Sequence, residues 1–187
     1  MADHLKPPNP PLKQGKRVFI RKPSPWDELE FVKKIISNQE FHHPFVINNV
    51  NASFFKSFLL RFEGASEGHL VCSQANGEIM GVININDIVS GAFQNGYLGY
   101  YAFKPFDGQG FMTEGLKLVM ERAFADLNLH RLEANIQPDN TASKKFVQRL
   151  GFKKEGFSPR YLKLGGRWRD HERWAILKED WQQYNSG

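Results

Sequence analysis

The sequence predicts an α/β (α+β) fold, a mixed and mostly antiparallel central sheet flanked by helices. Three observations predict it. Residues 97–136 read as strand, turn, amphipathic helix and strand, a crossover that joins two parallel strands. Asn76-Gly77 and Asn95-Gly96 separate apolar runs, a signature of antiparallel hairpins. The chain of 187 residues, 41% apolar, suffices for one domain with a full core.

In chain order, residues 1–16 (MADHLKPPNPPLKQGK) read as a flexible N-terminal arm, proline-rich and without a signal peptide's apolar core. Residues 17–22 (RVFIRK) form a short strand. Ser24, Pro25 and Asp27 open a helix as N-cap, first helical residue and acidic first turn, with Leu29, Val32, Ile35 and Ile36 as its buried stripe. The segment FHHPFV (41–46) is aromatic and broken by Pro44, hence a loop. A second helix covers about 52–62, with Phe55, Phe58, Leu59 and Phe62 on one side. Strands at 69–73 and 78–88 follow, and Asn95-Gly96 turns the chain into the strand beginning at Tyr97. Met112, Leu116, Val119, Met120, Ala123 and Leu127 form the apolar stripe of the central helix. Residues 130–136 (HRLEANI) alternate as a strand. A short helix then turns Ala142, Phe146, Val147 and Leu150 inward and ends at Gly151. The last strands, 152–164 and 167–177, meet at Gly165-Gly166. Residues 17–178 thus form a single domain, with 179–187 a C-terminal tail.

Several function classes lose ground. No apolar run approaches the ~18 residues that span a membrane. One cysteine, Cys72, supports neither a disulfide framework nor a thiolate metal site, and fits a reducing cytoplasm. Its mid-strand position reads as a buried apolar filler. No histidine pair has metal-ligand spacing with a third ligand, so no metal is expected. The net charge of +5 includes a cluster at Lys144, Lys145, Arg149, Lys153 and Lys154. It reads either as a solvated helix face or as attraction to an anionic ligand, such as a phosphorylated cofactor or a nucleic-acid-rich particle. No direct DNA role is expected.

The stretch YLGYYAFKPFDGQGF (97–111) carries the chemistry. A strand breaks at Lys104-Pro105, and Gly108 and Gly110 precede the central helix. Glycines there let backbone N–H groups converge, and the helix dipole adds positive charge, which makes a phosphate seat. A plain tight loop is the alternative. No Gly-Lys-Ser or Gly-Lys-Thr follows, and no third glycine, which disfavours nucleotide hydrolysis and hydride transfer.

These residues resemble the GNAT superfamily of acetyl-CoA-dependent N-acetyltransferases. Its pyrophosphate loop, Q/R-x-x-G-x-G/A, maps onto 107–112, with Asp107 and Met112 departing from the pattern. YLGY, GQGFMTEGL, LHRLEAN, PDNTASKKFVQRLGFKKEG and RYLKLGGRWRDH resemble the RimJ/RimL group of ribosomal-protein N-terminal acetyltransferases, and RimJ most. The resemblance covers about 17–177. It implies a GNAT fold whose splayed parallel strands bind acetyl-CoA as cosubstrate.

By the same resemblance, the main chain of Tyr101, Ala102 and Phe103 lines the pantetheine arm. The N–H groups of Gly108, Gln109, Gly110, Phe111 and Met112 hold the pyrophosphate. Asn135 faces the cleft. Asn140 bonds the cofactor arm or caps its helix, and both roles fit one carboxamide. Ser143 lies near the thioester sulfur, or bonds only backbone. The general base stays open: Tyr97 stands where many relatives carry glutamate, and Leu162 where some RimL-like enzymes do. Asp170 and Glu172 are the carboxylates within reach on the last strand; Asp170 is the catalytic candidate beside Ser143, with water as the default base and ion pairing as its alternative role. His42 and His43 either touch the acceptor or are exposed loop residues. The implied acceptor is the α-amine of a protein N-terminus, a ribosomal protein starting with alanine, with the ribosome as a possible partner. A small amine (aminoglycoside, polyamine or amino acid) is one alternative, and a non-catalytic acetyl-CoA or ribosome-binding module is another.

Overall fold

The computed structural model describes residues 8–45, 50, 51 and 53–186. Its elements are β1 Pro11–Gln14, β2 Val18–Arg21, α1 Glu28–Ser37, α2 Gln39–His42, α3 Phe54–Leu60, β3 Glu67–Ser73, β4 Ile79–Val89, β5 Asn95–Ala102, α4 Phe111–Glu121, β6 Arg131–Ile136, α5 Thr141–Gln148, β7 Lys153–Leu164, β8 Arg167–Leu177 and α6 Lys178–Ser186. The strands form one eight-stranded sheet in the order β1-β2-β3-β4-β5-β6-β8-β7. Every neighbouring pair is antiparallel except β5 and β6, which the α4 crossover joins in parallel. This is the mixed GNAT sheet that the sequence predicts.

Helices cover both faces. On one, Leu116, Val119, Met120 and Ala123 of the α4 stripe pack on Val18, Ile20, Val71, Ile83 and Ile85. Gly115 makes that approach possible: a Cβ there would stand 2.8 Å from a methyl of Val71. On the other face, Phe31 and Ile35 of α1 and Phe55 and Phe58 of α3 pack on Leu70, Cys72, Val82 and Phe103. The ring centroids of Phe31 and Phe58 lie 4.5 Å apart. Cys72 is fully buried, and burial pushes its thiol up to about 12, against the pull of Arg21. It is an inert filler.

Six local expectations change, one of them at Ala142, which α5 leaves exposed instead of turning inward. The lead-in contributes an edge strand, β1, where a proline costs no ladder bond on the solvent side. Lys13 anchors it to Glu121 and Asp126 at 2.9 and 3.2 Å. Residues 1–7 of the expected arm lie outside the described residues. The tail expected at 179–187 begins with helix, because α6 continues from β8 through residue 186. On α1 the sheet takes Phe31 and Ile35, while Leu29 (85% exposed) and Ile36 (53%) face outward. In the FHHPFV segment, Phe41 and His42 end the helical turn α2; Val46 lies outside the described residues, as does Ala52. Asn95 is a buried strand residue, and the chain turns earlier, at Gly91 (φ 74°).

Glu67 ties the layers together. Its carboxylate accepts hydrogen bonds from His69 Nε2 (2.8 Å) and from Arg122 Nε and Nη2 (2.9 and 3.0 Å), the arginine lying just past α4. Burial pushes this carboxyl up, but the bonds from His69 and Arg122 outweigh it and hold it well below the usual carboxylate range. A depressed carboxyl stabilises fully above its unfolded value of ~4.3 and loses that contribution as pH falls toward the folded value. Glu67→Gln is therefore expected to flatten the acid-side fall of the melting temperature below ~pH 4.3. Melts of both proteins across that window test it, and parallel curves would exclude Glu67 as the source.

Candidate active site

The site begins where the two parallel strands part. β5 and β6 pair only from Asn95↔Arg131 to Tyr97↔Glu133. Beyond that, β5 stays on β4 as far as Ala102, and β6 stays on β8 as far as Ile136. The N–H of Phe103 donates to Met80 O at 2.9 Å. Antiparallel alternation then directs the main chain of Tyr101 toward β4 and leaves that of Tyr100 and Ala102 on the open edge. Of the three residues expected to present main chain, Phe103 is fully buried core, and Tyr101 lines the cleft with its main chain paired to β4. Tyr100 was missed, because strand parity cannot be read without the β4 register.

His42 has a different place from the one expected. It is 7% exposed, and its Nε2–H donates to Ala102 O at 2.7 Å. Burial keeps its pKa below the ordinary imidazole value, against that hydrogen bond. It latches α2 to the edge of β5, whereas His43 is exposed.

The glycine turn follows β5. Gly108 and Gly110 have φ of 71° and 82°, left-handed values that a side chain strains. Gly110 caps α4, and the first intrahelical bond runs from Glu114 N–H to its carbonyl at 3.1 Å. Helix geometry leaves the N–H groups of Phe111, Met112 and Thr113 without intrahelical partners. Arg17, expected only as a strand residue, braces this turn. Its Nη1 donates to Gln109 O at 3.1 Å, its guanidinium lies 4.6 Å from the Phe111 ring centre, and its Nε pairs with Glu114 at 3.1 Å. A positive group thus stands beside the loop that Asp107 leaves without one.

A cleft of about 990 Å³ opens between the parted strands. Tyr101, Asn135, Asn140 and Ser143, all expected, line it together with Tyr100 and His171, which were not. Asn140 Oδ1 accepts the Ser143 N–H at 3.1 Å, so it does cap α5. Its carboxamide N–H2 has no partner among the described residues. Ser143 Oγ and the Tyr100 hydroxyl lie 2.6 Å apart. Burial raises the Tyr100 phenol, against the Ser143 bond, so Tyr100 stays neutral. Asn135 Oδ1 is buried without a partner among the described residues.

Asp170 does not join them. It is exposed, it is not among the cleft-lining residues, and it accepts the Arg160 N–H at 2.7 Å where β7 bulges. Leu162 and Tyr97 do line the cleft, and neither supplies a carboxylate. The basic cluster is partly neutralised: Lys154 pairs with Glu172 at 2.9 Å and Lys153 with Asp180 at 3.1 Å. Among the described residues, no group of three His, Cys, Asp or Glu could hold a metal.

The residues fit acetyl-CoA. The open edge of β5 offers main-chain partners to an amide-bearing arm, the turn offers N–H groups to a pyrophosphate, and Asn135 offers a buried acceptor. A family model for the acetyltransferase (GNAT) domain matches residues 17–153. The chain is 30% identical over 179 residues to the probable N-acetyltransferase YjcK of Bacillus subtilis (strain 168), covering 91% of this chain and 99% of that one. It is 39% identical over 104 residues to the ribosomal protein uS5-alanine N-acetyltransferase of Escherichia coli (strain K12), a match that spans 56% of this chain and 54% of that one. The Mycobacterium smegmatis RimJ solved in complex with CoA-disulfide superposes with a TM-score of 0.80 at 25% identity, covering 87% of this chain and 83% of that one. With the splayed strands and the glycine turn, these matches establish that the chain belongs to the GNAT family of acetyl-CoA-dependent N-acetyltransferases.

Proposed function

We propose that this enzyme acetylates the α-amine of a protein N-terminus, a ribosomal protein starting with alanine. The carrying observation is the charge of the cleft. Asp87 is its one carboxylate among the described lining residues, which also include Arg61, whose guanidinium donates to Asn86 at 3.3 Å, together with Asn84 and aromatic walls. A polyamine or aminoglycoside carries several positive charges and calls for an acidic trough. A peptide end carries one amine and a row of neutral amides, which such a lining suits. The stretch shared with the uS5-alanine acetyltransferase points the same way. Residues 17–178 act as one catalytic domain in the cytoplasm; no helix among the described residues is long and apolar enough to cross a membrane.

An N-terminal α-amine has a pKa near ~8, so a useful fraction is already neutral at pH 7. In this reading the N–H groups of Gly108 to Met112 hold the pyrophosphate. Tyr100 and Ala102 pair with the pantetheine arm, and Asn135 and Asn140 bond it from the opposite wall. Ser143, held by Tyr100, donates to the departing thiolate. Ser143→Ala is expected to lower kcat by about 10- to 100-fold, the worth of one hydrogen bond to a charged group, with little change in the KM for acetyl-CoA. A kcat within twofold of wild type would remove Ser143 from the reaction.

The function is tested by CoA release and mass spectrometry with two matched alanine-starting peptides. One has a free N-terminus, and the other is N-acetylated but keeps a lysine. Transfer to the first alone is expected. Transfer to neither, with acetyl-CoA still bound, would overturn the peptide reading and direct the assay to small amines. Binding without transfer to any amine would make the protein a binding module.

A further inference from the structure

Acetyl transfer needs a group to take the acceptor's proton; Asp170, the expected carboxylate, is not among the cleft-lining residues, and Asp87, the one carboxylate that is, belongs to β4, which does not border the splay. The cleft does contain an imidazole. His171 is 2% exposed and lines it, just past the pairing of Glu172 with Ile136 that ends β6. It therefore stands past the end of β6, in the same cleft lining as Tyr100 and Tyr101 of β5. Its Nδ1 lies 3.0 Å from Arg169 O, an atom that only accepts. Nδ1 must carry the hydrogen, and in the neutral ring this leaves the lone pair on Nε2. The Tyr161 ring, its centre 5.9 Å away, braces the imidazole from β7.

The charged surroundings leave Nε2 without a competing partner. On β8, Asp170 is engaged by the Arg160 N–H, and Glu172 is held by Lys154 of β7 (2.9 Å) and Lys144 of α5 (3.7 Å). Arg169 contributes its carbonyl, and the Arg173 guanidinium lies against Gly156 of β7. On β6, Glu133 is paired with Arg131 at 2.9 Å. Tyr97, Tyr100 and Tyr101 are the titratable groups of β5 in the cleft wall, and Ser143 faces the same space from α5. No carboxylate pairs with His171 among the described residues.

We propose that His171 is the general base of acetyl transfer, accepting a proton from the acceptor amine through Nε2, directly or through one water. Burial keeps the ring below its ordinary pKa, outweighing the Arg169 bond and the Asp170 charge, so it is neutral at pH 7. The amine lone pair forms the C–N bond to the acetyl carbon, and the C–S bond breaks with its electron pair leaving on sulfur. The surplus proton on nitrogen passes to Nε2 and then to water, from which the thiolate takes one back. One amine and one thioester become one amide and one thiol.

The test is the pH dependence of kcat/KM with an alanine-starting peptide, for wild type and His171→Asn. The asparagine amide can still donate to Arg169 O but offers no basic nitrogen. Two groups must be deprotonated in wild type, the free amine and His171, so log kcat/KM should rise with slope two on the acid side. In His171→Asn the slope should fall to one, kcat should fall at least about 100-fold, and acetyl-CoA should bind as before. An unchanged slope with kcat within about threefold would overturn the proposal, as the same loss of ~10²-fold is expected of any removed base. If the variant does not fold, wild type decides alone: a slope of one that persists to the lowest pH at which the protein stays folded overturns the proposal. If wild type leaves the peptide untouched, only the acceptor reading fails, and spermidine replaces the peptide in the same profile. Turnover of neither amine overturns both.

Discussion

Gly110→Val is expected to raise the KM for acetyl-CoA about 100-fold, from the loss of two charge-assisted hydrogen bonds at about 1.5 kcal/mol each. The backbone of Gly110 sits at φ 82° and ψ 0°, a region closed to a β-branched side chain. Even a bare Cβ would stand 3.2 Å from Arg17 Nη2, the group that braces the turn. The chain must therefore rotate at the residue that aims the N–H groups of Phe111 and Met112. Nothing behind it needs to fail, because α4 is held separately by Leu116, Val119 and Met120 in the core. Calorimetric binding of acetyl-CoA, with a melting curve as control, reads the effect. Wild-type affinity in a folded variant would show that the turn does not seat the pyrophosphate.

Asp27→Ala should be the most destabilising single change near the first helix, costing about 3–5 kcal/mol as the break-up of a buried ion pair. The Asp27 carboxylate accepts from Arg21 Nη1 and Nη2 at 2.9 and 2.6 Å, and from Ser24 N–H at 2.7 Å. Both charged side chains are almost wholly buried, at 6% and 5% exposure. Removing the acid leaves a guanidinium with no counter-charge beside Cys72. For a chain of this size the melting temperature should fall by about 10 °C. A Leu or Met replacement of both partners should recover much of the loss, because an apolar pair does not strand a charge. A drop of under ~3 °C for the single variant would show that water reaches Arg21 after all.

Much of the architecture was legible because it is encoded locally. The central helix declares itself through Leu116, Val119 and Met120, and the turn before it through Gly108 and Gly110, whose left-handed backbone only glycine enters freely. Parity was not legible. Tyr100 and Tyr101 differ by one residue, yet the pairing of Phe103 with Met80 decides which of them meets β4 and which meets the open edge. Asp170 and His171 pose the same problem. Neighbouring residues of a strand face opposite sides, and only the register of β8 on β6 turns the histidine into the cleft. On α1, two apolar stripes one residue out of phase compete, and the sheet rather than the helix selects Phe31 over Leu29. The Pro-rich lead-in read as loose because an edge strand stabilised by Lys13 needs partners about a hundred residues away.

The parting of β5 from β6 has a consequence for how the protein survives. An unpaired edge within a sheet is a template on which another extended chain can align. A ligand that lies along it binds only the folded form, so its concentration adds directly to resistance against unfolding, by about 2.7 kcal/mol at a hundredfold excess over Kd. Acetyl-CoA then acts as a chaperone of its own enzyme. Starved of it, the same chain should melt at a lower temperature.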